Sequence, residues 1–286
     1  MSNPMKHVIL DTDIGTDPDD FVALLLALKL DQKDISLDAI VTSNERNGSR
    51  ARLVRRILDL YGKGVPIFQG AESKGIGRLT YWMRDFPSNE TFDRDFPTKV
   101  KQISEQFTDV HYVGIGPMSN LAETLQIHPE LKGQLKVAQM GGFERRGIGR
   151  IFPLEYNFCL DSEAAKYCAN NSDDMSLVTA NVTANPGTAI LPYSKIHRES
   201  KSRGGVYQLL AENFDRFYRK GIPVDFMNDP LTLFTLIGSY VGFDRLPVDV
   251  NRFGRVKPAV EGNPIYISRS ADYKRFMNTM TEILFS

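Results

Sequence analysis

Between positions 11 and 20 the chain places five carboxylates, Asp11, Asp13, Asp17, Asp19 and Asp20, directly after the apolar run Val8-Ile9-Leu10. Like charges packed this closely repel one another. A hard divalent cation bound through oxygen makes such a concentration tolerable. The chemistry it offers is a cation that orients and acidifies water, with a carboxylate beside it to take the proton. Helix capping is the competing use of aspartate, and it employs about one or two carboxylates at a helix start.

The elements around the acids set where they point. Residues 8–10 read as a buried parallel strand, and the pattern from Asp19 onward reads as a helix with its carboxylates in the first turn. A second strand over 35–42 ends at Ser43-Asn44, a helix follows over 49–61, and a third strand covers 65–68. Strand-helix alternation of this kind predicts an α/β fold, an open, mostly parallel sheet flanked by helices. Its active site belongs at the carboxyl ends of the strands. Periodicity lapses over 72–98, which includes Tyr81 and Trp82, a length of loop associated with lids.

Further strands are expected over 110–115, 135–140 and 176–182, and helices over 116–126, 161–168, 202–218 and 228–240. The tail over 247–268 carries short strand-like runs, and 271–285 reads as a closing helix. Neither linker nor repeat divides the chain, so 1–286 is expected to form a single domain. Asp229, like Asp13 and Asp20, lies at a junction leading into a helix, and one sheet edge would bring the three together.

Charge and composition narrow the partner. Lys plus Arg total 35 and Asp plus Glu total 35, a balance that gives no footprint for nucleic acid or an anionic membrane and favours a small-molecule substrate. Cys159 and Cys168 lack disulfide-framework or metal-ligand spacing. The sequence has neither a signal-like apolar stretch at its start nor eighteen consecutive apolar residues, and the expected location is cytoplasmic.

Four motifs occur in order: Asp-Thr-Asp-Ile-Gly-Thr-Asp-Pro-Asp-Asp-Phe-Val-Ala-Leu at 11–24, Gly-Pro-Met-Ser-Asn at 116–120, Met-Gly-Gly at 140–142 followed by Glu155-Tyr156-Asn157, and Asn-Asp-Pro-Leu at 228–231. Together they resemble the inosine-uridine nucleoside hydrolase family. The resemblance implies a parallel α/β enzyme that cleaves the N-glycosidic bond of a ribonucleoside with water, using Ca2+, and that assembles as a dimer or tetramer. It implies that Asp13 binds the metal and takes the proton of the attacking water. Asp20, the backbone carbonyl of Ile115 and Asp229 would complete the protein ligands, while Asp19, Asn44, Glu155 and Asn157 would hold the ribose hydroxyls. The usual family motif is Asp-x-Gly-x-Asp-Asp. Two additional residues separate Gly15 from the acidic pair here, so Asp17 and Asp19 are alternatives for one role.

The departures concern the leaving base. Many members have histidine immediately before the late calcium aspartate, where this chain has Asn228, and Gly149 stands where members often have asparagine. Asparagine cannot serve as a general acid. None of His7, His111, His128 and His197 falls at a matching position. Stacking on Tyr81 or Trp82 is the alternative means of activating a purine, set against simple packing of the loop.

The chemistry suits the residues, because cleavage through an oxocarbenium-like transition state needs an activated water and negative surroundings for the sugar. Two other readings compete. Residues 10–16 also resemble the Asp-x-Asp-Gly-Thr signature of haloacid-dehalogenase-type phosphatases, but Ile14 interrupts it and the Asp19-Asp20 pair goes unused. The other is a calcium-dependent ribose-binding or regulatory protein without turnover. Release of ribose or of phosphate separates the three.

Overall fold

The computed structural model describes residues 5–72, 82–144 and 155–286. Tyr81 and Gly149 lie outside these residues. The strands are β1 (Lys6–Thr12), β2 (Ile35–Thr42), β3 (Ile67–Gln69), β4 (Val110–Gly114), β5 (Leu135–Met140), β6 (Asp174–Val178), β7 (Ala189–Ile190), β8 (Asp225–Phe226), β9 (Val241–Val250), β10 (Val256–Pro258) and β11 (Pro264–Ala271). The helices are α1 (Pro18–Leu30), α2 (Ser49–Tyr61), α3 (Phe96–Gln106), α4 (Ser119–Ile127), α5 (Tyr156–Leu160), α6 (Ser162–Asn170), α7 (Ala180–Thr183), α8 (Lys195–Ser202), α9 (Val206–Arg219), α10 (Asn228–Leu233) and α11 (Tyr273–Phe285).

Nine strands form one sheet in the order β10-β9-β11-β6-β5-β4-β1-β2-β3. From β3 to β11 every neighbouring pair is parallel, and β9 and β10 add an antiparallel margin. The expected open, mostly parallel sheet is therefore the one present. Alternation along β1 explains the two layers of core. Val8 and Leu10 pack with α1, α2, α9, α10 and α11, whereas Ile9 packs with α3, α4 and α6.

Register aligns the carboxyl ends. Thr12 pairs with Thr42, and Asp11 pairs with Gly114. The next residues, Asp13, Ser43-Asn44 and Ile115, consequently open on one edge. Helix α1 is buried on nearly every side, as an apolar helix must be when other helices cover it. Pro18 lies at its start and Asp19 and Asp20 in its first turn, where the amino-terminal dipole favours carboxylates.

Several elements depart from the sequence expectation. Helix α3 begins inside the stretch read as a loop: Asp95 accepts a hydrogen bond from the Thr98 amide and Pro97 occupies the first turn. The helix expected over 202–218 is α9, which starts at Val206 behind Gly205 at φ 64°, and a further helix, α8, precedes it over 195–202 where none was expected. The strand expected over 176–182 runs instead over Asp174–Val178 and turns into α7. Helix α10 passes at Phe234 into a 3-10 turn, and the tail forms long strands where short runs were expected.

Candidate active site

Asp19, Asp20 and Asp229 each direct a carboxylate oxygen into a common space, with these atoms all within 4.8 Å of one another and all three residues buried. Two come from α1 and the third from α10, which packs against it. The Thr12 hydroxyl donates to Asp20 Oδ1 at 2.6 Å, and the Asn228 side-chain amide donates to Asp19 Oδ2 at 3.1 Å. Burial raises the pKa of Asp19 to about 6, against the hydrogen bonds from Asn228 and the Asp229 backbone. Burial, reinforced by neighbouring carboxylates, holds Asp20 and Asp229 well above the ordinary range. A bound cation would offset both effects, because its charge favours the ionised carboxylates. The donor set, oxygen throughout, fits a hard ion. Among the described residues the buried Oδ1 of Asn228 has no hydrogen-bond partner, a further polar atom beside the acids.

Asp13 stands outside this close trio but belongs to the same charged environment, since it raises the pKa of both Asp20 and Asp229. Its Oδ2 accepts from Asn44 Nδ2 at 3.2 Å. Beneath it lies Arg50, fully buried, whose guanidinium donates to the Asp13 and Ile14 carbonyls and, through Nε at 3.0 Å, to the Asn44 carbonyl. One side chain thus pins both loops. Burial raises the Asp13 pKa while Arg50 opposes the shift. The close approach of the loop after β4 requires Gly116, because a Cβ there would stand 2.4 Å from Ser43 Oγ and 3.1 Å from the Asp13 backbone nitrogen.

Asp11 is spoken for by the scaffold. Its carboxylate accepts from Tyr112 Oη at 2.6 Å and Asn120 Nδ2 at 3.1 Å, and burial still lifts its pKa to about 7. Asn120 also donates to the Thr42 carbonyl and accepts from the Ala71 amide.

The remaining expected residues divide by what their polar atoms do. The Ile115 carbonyl accepts from Asn157 Nδ2 at 3.1 Å. Glu155 caps α5 and accepts from the amides of Gly142, Asn157 and Phe158 at 2.9 to 3.0 Å. Its carboxylate orders the loop. Asp19, expected at ribose, is the third member of the carboxylate trio, while Asp17 is only partly buried and lies at the start of α1. Trp82 donates its backbone N–H to the Gly15 carbonyl at 2.8 Å, and its ring lies tilted against Phe217 at 5.8 Å.

Two residues of the region escaped the sequence reading. Arg50 falls in an amphipathic helix rich in arginine, where a solvent face was the natural expectation. Asp225 is 2% exposed, and burial followed by the nearby Asp19, Asp17 and Asp20 raises its pKa well above the ordinary range. No motif marks it.

Fold and site together define an α/β enzyme that gathers carboxylates for a hard cation at the carboxyl edge of a parallel sheet. The chain belongs to the inosine-uridine preferring nucleoside hydrolase family, whose model matches residues 8–278. It is 27% identical over 272 residues to the pyrimidine-specific ribonucleoside hydrolase RihA of Escherichia coli O1:K1 / APEC, covering 83% of this chain and 84% of that one. Identity to the non-specific ribonucleoside hydrolase RihC of Salmonella paratyphi A (strain ATCC 9150 / SARB42) is 26% over 192 residues, spanning 62% of each chain. A plant nucleoside hydrolase superposes with TM-score 0.82 at 20% identity, over 99% of this chain and all of that one. The purine-preferring ribonucleoside hydrolase from Gardnerella vaginalis superposes with TM-score 0.80 at 20% identity over 98% of each. At these identities the structural likeness is one of fold.

Proposed function

We propose that the protein hydrolyses the N-glycosidic bond of a ribonucleoside or related N-riboside, releasing ribose and free base. It is a calcium-using glycosidase of the nucleoside hydrolase family, and the observation that carries this reading is the buried trio Asp19, Asp20 and Asp229. These three carboxylates hold the cation, with the Ile115 carbonyl as a further oxygen ligand kept in place by Asn157. Calcium, when bound, supplies positive charge that orients ribose hydroxyls and acidifies water.

Asp13 accepts the proton of the attacking water, as the expected general base. Asn44 aims its carboxylate, and Arg50 fixes the backbone on which it stands. The remaining acids surround a sugar ring that becomes oxocarbenium-like as the C–N bond lengthens, so the site is complementary to charge that exists only near the transition state. Glu155 acts through the loop it caps, setting the position of Asn157.

Asn228 sets the leaving-group requirement. Its amide already donates to Asp19 and it has no proton to give to a departing base. A positioned general acid contributes roughly 10² to 10⁴-fold. Substrates whose base leaves without protonation, such as nicotinamide riboside, are therefore the fast ones, and uridine is slow.

The catalytic domain spans the whole chain, works on small molecules in the cytoplasm and assembles with copies of itself. No helix among the described residues is long and apolar enough to cross a membrane. The deciding experiment is ribose release from purine and pyrimidine ribonucleosides and nicotinamide riboside, with and without calcium. Stoichiometric calcium binding with no ribose released from any of them would overturn turnover in favour of a ribose-binding role.

A further inference from the structure

Beside Trp82, whose backbone N–H donates to the Gly15 carbonyl, lies a cavity of about 350 Å³ lined by Trp82, Arg216, Arg219 and Lys220. Arg219 and Lys220 are exposed at its mouth, so the cavity presents positive charge to solvent, where an anion would be drawn to it. Arg216 is accounted for: it pairs with Glu212 at 2.8 Å and donates to the Trp82 carbonyl at 3.3 Å. Glu212 is also shared with Arg84 at 3.4 Å. Arg219 donates through Nε to the Asp215 backbone carbonyl, while the Asp215 carboxylate is engaged by His197 and Lys201. The Lys220 ammonium lies 5.8 Å from the Trp82 ring centroid.

Among the described residues no carboxylate pairs with Arg219 or Lys220. The residues outside that set include no Asp or Glu. Neither side chain is therefore matched by a carboxylate of this chain at ion-pair distance. A phosphate group suits them, since a guanidinium fork and an ammonium match its several oxygens, and the volume admits a sugar attached to it.

We propose that this cavity binds the phosphate monoester of a ribose compound, such as a nucleoside 5′-phosphate. The site touches the acidic loop at two struts. Trp82 donates to the Gly15 carbonyl, and Asn213, on the same helix as the arginines, donates to the Thr16 carbonyl at 3.0 Å. Occupancy is thereby felt two residues from Asp13, yet the cations themselves lie outside the hydrolytic machinery.

Trp82 is the chain's one tryptophan, so intrinsic fluorescence reports the cavity directly. The calcium-loaded full chain is titrated with inorganic phosphate, ribose 5-phosphate and uridine 5′-monophosphate. A saturable change is expected with both esters, weakening as salt is raised. Arg219→Glu with Lys220→Glu should lower ester affinity at least about tenfold, and the milder Arg219→Gln with Lys220→Gln should do so in part. Both variants retain nucleoside hydrolysis, which separates failure here from failure of the hydrolase reading. Equal ester affinity in wild type and a folded charge-reversed variant, or no saturable response in wild type, overturns the proposal. Inorganic phosphate bound as tightly as the nucleotide assigns the cavity to the free ion and overturns the monoester.

Discussion

The Asn228 amide and the Asp19 carboxylate meet at 3.1 Å across 209 residues of sequence. The contact orients Asn228, because its nitrogen must face the acid and its oxygen must face away. A residue at the usual position of a proton donor is thus an anchor for the cation-holding trio.

Replacing Asn228 by alanine removes a donor from a buried charge, and calcium affinity should fall roughly tenfold by the usual strength of such a bond. Chelator competition measures it. Asn228→His restores a titratable group, and kcat/KM for uridine and inosine should rise relative to nicotinamide riboside. If wild type already cleaves uridine as fast as the cationic substrate, another proton donor operates.

Asp13→Asn separates chemistry from folding. The amide keeps an oxygen for a cation but cannot accept a proton, so turnover should drop about 10² to 10⁴-fold while the melting temperature changes little. Near-normal turnover in the folded variant would remove the base role from this position.

Calcium removal should destabilise the protein. The trio is left as an uncompensated anionic group, and saturating ligand at about 100-fold over its Kd contributes roughly 2.7 kcal/mol, several degrees of melting temperature for a chain of this size. Asp229→Ala should abolish the difference between calcium-loaded and chelated samples. A persistent calcium shift in that variant would place the ion elsewhere.

Asn120 joins three pieces of the central edge, bonding Asp11, the Thr42 carbonyl and the Ala71 amide. Asn120→Ala should cost roughly 2 to 4 kcal/mol of unfolding free energy, because buried partners lose their donor and acceptor together. Denaturant titration that finds a loss within error of zero would contradict this role.

His197 supplies a pH dependence remote from the acids. Its Nδ1 accepts from the Tyr193 amide and its Nε2 meets Asp215 at 2.9 Å, an arrangement of the neutral ring. Burial lowers its pKa despite the Asp215 carboxylate. The folded state therefore binds fewer protons than the unfolded one just below about pH 6.5, and stability falls as pH drops through that window. His197→Gln should flatten the calcium-loaded stability curve between about pH 7 and 5; an unchanged slope would assign the dependence to other groups.

How far the sequence discloses the site depends on how local each cause is. The run from β1 through the acids into α1 is legible because strand, loop and helix are continuous in the chain. Convergence of Asp20 with Asp229 follows from parallel topology, which the strand-helix alternation announces. Helix α3 was obscured because Phe96, Val100 and Ile103 are its few apolar anchors and a long irregular stretch precedes it. Glu155 is expected at the ribose hydroxyls, and which partners its oxygens accept depends on the backbone amides of a loop closing around it. Arg50 and Asp225 gain meaning only from tertiary burial, which no local pattern encodes.

The separation between α1 and α10 also orders events during synthesis. Asp229 is made 209 residues after Asp20, a delay of roughly 10 to 40 s at ordinary translation speeds. Throughout that interval the nascent chain exposes an incomplete chelate with little hold on any ion. The full trio can consequently hold calcium only once Asp229 has been made.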